Sequence, residues 1–203
     1  MTLIITVFII IVVAAGAYFA WKIFSEVPEA PAPVPEEQAP VVDDTTVYTS
    51  PSMKFSITYP RPFAFNESYT NTSVNPQKPI SGVKFTIPLT AATGTTLASD
   101  TGISVEQLPR AKICTGDIFL AANVKSHAVT EGVTEYSVAT SSETTADNIY
   151  EEMIYAIASS SPCTAVRYYI HSTPAGSGST LSPFDHAGLV AAFDRIRQSL
   201  VLQ

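Results

Sequence analysis

Phe55-Ser56-Ile57-Thr58-Tyr59-Pro60 spaces three apolar side chains two residues apart, separates them with hydroxyls and stops at a proline. Successive side chains of an extended chain point to opposite faces, so this stretch is a strand with one dry and one wet face. The spacing recurs at Val83, Phe85 and Ile87, closed by Pro88, and at Ile103, Val105 and Gln107 ahead of Pro109. Residues 133–139, 150–157 and 164–171 carry longer strands, with Ser/Thr-rich turns expected at 141–145 and 159–162. One-sided strands suit an antiparallel sheet, whose apolar face needs a cover. The carboxyl-terminal segment offers one: Leu189, Phe193, Ile196 and Leu200 form a helical stripe, while Asp194, Arg195, Arg197 and Gln198 fall off it. Ser182 as N-cap, Pro183 at the first helical position and Asp185 in the first turn mark the helix start. A second, short helix is expected within 113–123. The fold class is α+β, a mainly antiparallel sheet with a C-terminal amphipathic helix packed on it. No apolar pattern repeats along the chain, which argues against solenoids and propellers.

Outward from this domain, at 47–203, the amino-terminal quarter reads differently. Residues 2–21 hold 17 apolar residues of 20, interrupted only by Thr2, Thr6 and Gly16. At a helical rise of about 1.5 Å per residue they match the thickness of a bilayer core. Tyr18 and Trp21 sit at the end of the run and Lys22 follows it, as interfacial groups. Residues 1–22 are therefore expected to form a transmembrane anchor embedded in membrane lipid. Ala15-Gly16-Ala17 also fits a signal-peptide cleavage site, and a secreted domain is the alternative. The absence of a basic n-region and the continuing apolar run favour the anchor. Residues 23–46 follow as a disordered Pro/Ala/Glu linker, with five prolines between 25 and 44. It is either a spacer that holds the domain off the membrane or a plain connector.

The chain has 203 residues and a net charge of -7, and that charge is unevenly placed. Residues 23–44 hold six acids and no base, whereas 45–203 hold 12 acids and 10 bases. A nearly neutral domain on an acidic stalk is no nucleic-acid binder, which needs a basic face for phosphates. Lys22 by itself votes for a cytoplasmic domain. The tether and the cysteine pair favour the other side. The expected location is the cell membrane, single-pass, with the domain extracytoplasmic.

Cys114 and Cys163 are the two cysteines. Outside the cytoplasm they form a disulfide; inside, they are two unrelated thiols. His127, His171 and His186 have no metal-pair spacing, and His171 reads as a strand-edge or core imidazole. A Ser-His-Asp triad is defined in space and stays open, although no Gly-x-Ser-x-Gly elbow occurs. Ala175-Gly176-Ser177-Gly178-Ser179-Thr180 lacks the lysine of a phosphate loop and reads as a surface loop. Glu151 and Glu152 are adjacent and face opposite sides of a strand, which makes them poor partners for acid–base work. Asn66 and Asn71 begin glycosylation sequons, which matter only in a eukaryotic secretory setting. Tyr150, Tyr155, Tyr168 and Tyr169 lie on strands, either as core or as a binding face. No catalytic residue, metal or cofactor is assigned.

The stretch from Tyr48 to Pro60, with its Phe-Ser-Ile-x-Tyr-Pro strand, and Phe193-Asp194-Arg195-Ile196-Arg197-Gln198-Ser199-Leu200 resemble the exported PsbP-like α-β-α sandwich domains. The resemblance implies a binding or assembly domain with no shared catalytic motif, so no site residue is carried over. An extracytoplasmic binding or structural domain, with an envelope protein or cell-wall partner, is the expected function. An envelope hydrolase with an unrecognised site is the alternative.

Overall fold

The computed structural model describes residues 44–174 and 180–203. The expected anchor at 1–22, nearly all of the 23–46 linker and most of the Gly/Ser loop at 175–180 lie outside the described residues. Among the described residues no helix is long and apolar enough to cross a membrane.

Among the described residues ten strands make two antiparallel sheets. The small sheet has the order β1-β2-β10, from β1 (Thr45–Ser50), β2 (Phe55–Pro60) and β10 (Val201–Leu202). The large one runs β3-β4-β5-β9-β8-β7-β6. Its strands are β3 (Ala64–Asn71), β4 (Ile80–Thr86), β5 (Gly102–Leu108), β6 (His127–Glu131), β7 (Thr134–Thr145), β8 (Asn148–Ile157) and β9 (Cys163–Ser172). A single turn, α1 (Leu89–Ala92), a 3-10 turn at Gly116–Phe119 and the terminal helix α2 (His186–Gln198) complete the fold.

The period-two pattern puts its apolar members where the sequence predicts. Phe55, Ile57 and Tyr59 of β2, Val83 and Phe85 of β4, Ile103 and Val105 of β5 and Val166, Tyr168 and Ile170 of β9 form one buried cluster. Phe193 and Ile196 of α2 close it, with Leu189 and Leu200 packed at its edge. The small sheet and α2 thus share one face of the large sheet. The Thr58 amide donates to Ser199 Oγ at 2.8 Å, tying β2 to the end of α2. Arg197 secures the helix: its guanidinium lies 4.8 and 4.1 Å from the ring centroids of Tyr136 and Tyr155, and its Nε donates to Tyr168 Oη at 2.7 Å.

On the other face, residues from the 109–126 segment pack against the sheet. Phe119, Leu120, Ile154, Ala156 and Ala165 form a second buried cluster there, with the Cys114–Cys163 disulfide in it. The bridge expected from the sequence is present, joining that loop to the start of β9. Gly116 makes the fit: a Cβ there would come within 2.7 Å of Ser137 O and 2.8 Å of Ala139 N on β7. Among the described residues this face has the 3-10 turn in place of a helical layer, so the α-β-α arrangement is realised on one side.

Several local expectations need correction. Residues 141–145 are strand, not turn. β7 pairs with β8 as far as Thr145 opposite Asn148, and the hydroxyl-rich stretch is polar because the hairpin projects beyond the core with both faces wet. The chain reverses at Ala146-Asp147, with Ala146 at a φ of 49°. Helix α2 starts at His186 under Asp185, whose Oδ1 accepts from the Gly188 amide at 2.9 Å. Ser182 is unavailable as a cap because it bridges to Thr95, with its own amide donating to Gly94 O. The short helix expected in 113–123 shrinks to Gly116–Phe119. β1 begins at Thr45, inside the segment read as linker.

Candidate functional site

β5 and β9 lie side by side at the centre of the large sheet, and both are buried on both faces. An acid and a base in such strands must find each other. Glu106 is 0% exposed and Arg167 is 2% exposed. Arg167 Nε donates to Glu106 Oε1 at 2.8 Å and Nη2 to Oε2 at 3.0 Å, the forked geometry of a strong guanidinium–carboxylate pair. Ser104 Oγ also donates to Oε1, at 2.8 Å. The remaining guanidinium donors reach Glu152 of β8 through Nη1 and the carbonyl of Phe119 through Nη2. One arginine therefore joins three strands and the loop above them.

Through Glu152 this ion cluster reaches the lining of a cleft of about 330 Å³. Tyr69, Lys84, Asp100, Glu152 and Tyr169 line it, with residues 70–73 at its rim. Gly82 makes room: a Cβ there would come within 3.3 Å of the Tyr69 ring and 3.0 Å of Glu106 Cγ. Lys84 Nζ donates to Asp100 O at 2.8 Å and sits 4.8 Å from the Tyr169 ring centroid, a cation–π distance. Burial of the Lys84 ammonium lowers its pKa, against the opposing pull of Asp100. Burial, reinforced by Glu106, pushes the Tyr69 phenol up to about 12. Burial and then Asp100 raise Tyr169 as well. At neutral pH both phenols are donors, beside the carboxylates of Asp100 and Glu152 and the ammonium of Lys84.

Beside the cleft, His171 Nδ1 lies 2.7 Å from Asp100 Oδ1 and Nε2 lies 2.9 Å from Asn148 Oδ1. The ring stacks on Tyr150 at 4.5 Å. Both ring nitrogens are engaged, so neither serves a serine in this arrangement. His186 is in the first turn of α2, with Nε2 3.0 Å from Glu151 Oε2. Glu151 and Glu152 do face opposite sides, one toward α2 and the other toward Arg167. The four strand tyrosines divide. Tyr155 and Tyr168 pack on the helix side, and Tyr150 and Tyr169 face the open side. Asn71 is buried, its Oδ1 accepting from the Ser73 amide and hydroxyl, so it is a poor sugar acceptor. Among the described residues no group of three His, Cys, Asp or Glu side chains is placed to hold a metal ion.

Glu106, Arg167 and Lys84 were not singled out by the sequence reading. The signal available was an acid and an arginine set inside runs of otherwise apolar strand, Ile103-Ser104-Val105-Glu106 and Ala165-Val166-Arg167-Tyr168. Charges in such runs imply a buried partner.

No protein-family model matches the chain, and no curated protein matches it. Two solved structures are similar. One is a crystal structure from Bacteroides thetaiotaomicron, 12% identical with a TM-score of 0.45, covering 79% of this chain and 49% of that one. The other is the solution structure of cyanobacterial PsbP from Synechocystis, 8% identical with a TM-score of 0.35, covering 86% of this chain and 100% of that one. The chain spans about half the length of the Bacteroides protein. Both are weak resemblances of fold.

Proposed function

We propose that the chain is a single-pass membrane protein whose residues 2–21 sit in lipid and whose folded domain acts outside the cytoplasm, binding an envelope protein or cell-wall partner. The observation that carries the binding role is the Lys84 cleft, where two phenols, two carboxylates and an ammonium line one concavity, with Glu152 held by Arg167. Few precisely held polar groups in a concavity are what a recognition site needs. The Cys114–Cys163 bridge supports the location, since disulfides persist in oxidising compartments.

Two experiments test this. A photo-crosslinking side chain at Thr72, on the cleft rim, should yield a discrete adduct in living cells, and Tyr169→Ala should abolish it. No adduct at this position would sink the binding role. After reduction, a membrane-impermeant thiol reagent should label the two cysteines in intact cells. Labelling only after lysis would place the domain inside.

A further inference from the structure

A second concavity, of about 910 Å³, lies away from the Lys84 cleft, between the entry to β4 and the loop that follows β5. Leu108, Ile113 and Ile118 line it, and Ile113 is 73% exposed. Lys78, Arg110 and Lys112 are exposed around it, and among the described residues none of the three makes an ion pair. Asp117, the one carboxylate in the lining, accepts from Ser126 Oγ at 2.8 Å. A domain with more acids than bases thus gathers three unpaired cations around one apolar hollow.

The hollow is also preformed. The disulfide at Cys114, the bond from Arg167 to Phe119 O and the close approach of Gly116 to β7 hold its loop from below. A partner entering it pays little to order the site. We infer that this groove binds an acidic segment of a partner protein, one that alternates carboxylates with branched apolar side chains. The carboxylates complement the cationic rim, and the apolar side chains fill the hollow around Ile113.

The test uses the full-length chain in neutral detergent micelles, with its disulfide intact, and a fluorescein-labelled peptide of alternating glutamate and valine. Anisotropy should show saturable binding at low salt that weakens as salt is raised toward about 0.5 M, where exposed charges are screened. Arg110→Glu with Lys112→Glu should weaken binding about ten-fold or more, and Ile113→Ser should weaken it without changing the salt dependence. Lys84→Ala, in the other cleft, should leave it unchanged, which separates this inference from the role given to that cleft. Absence of binding, or equal binding by the double variant, overturns the proposal. So does loss of peptide binding when phosphatidylglycerol is added to the micelles, which would make the patch a lipid-facing one.

Discussion

Arg167 grips both carboxylate oxygens of Glu106, from Nε and Nη2, at the centre of the large sheet. Removing one member of so buried a pair strands the other charge, at a cost of about 3–5 kcal/mol. Arg167→Met should lower the denaturation free energy by that amount. The double variant Arg167→Met with Glu106→Gln should recover a large part of it, because the fully buried charge is gone and the one acid left without Arg167, Glu152, is 20% exposed. Equal stability of the single and double variants in urea titrations would contradict this account.

The disulfide closes 49 residues of sequence. Replacing both cysteines by serine should destabilise the domain by about 4 kcal/mol through the restored freedom of the unfolded loop. The same change should loosen residues 109–126, read as faster amide hydrogen exchange there than in β4.

High pH should weaken the fold. A phenol with a raised pKa keeps its proton longer when folded, so its contribution is complete below the unfolded value near 10 and is lost as pH rises through the folded value. Tyr69, pushed up to about 12, acts between about 10 and 12. Thermal melts across that range should show falling stability in the wild type and a shallower fall in Tyr69→Phe.

Ala146 holds a positive φ in the β7–β8 turn. Glycine has no Cβ to clash there, so Ala146→Gly should stabilise the domain by about 0.5 kcal/mol after the entropy of the freer unfolded chain is subtracted. A lower denaturation midpoint would show that the turn is unstrained.

The half of the fold that obeys one-sided alternation could be read directly. Phe55, Ile57, Val83, Phe85, Ile103 and Val105 announce their strands because each has one dry face. β3 escaped notice because it lies at a sheet edge with nearly all its side chains exposed, and only Asn71 is buried. No periodicity survives when both faces meet water. The cleft was hidden for another reason. Lys84, Glu106, Glu152 and Arg167 come from four strands, and strand order, which sequence patterning does not encode, is what brings them together. The cysteine pair was legible because only two residues had to be matched.

The clasp between β2 and the last residues sets an order of events. Phe55 and Leu202 are neighbours in the small sheet, and Thr58 is bonded to Ser199, across 141 positions of chain. A polypeptide emerging amino-terminus first therefore leaves β2 without its Leu202 and Ser199 partners until α2 and β10 have followed. Contacts this remote in sequence make for folding on the order of milliseconds to seconds, slow beside helical domains. During synthesis the small sheet stays unfinished until α2 and β10 arrive.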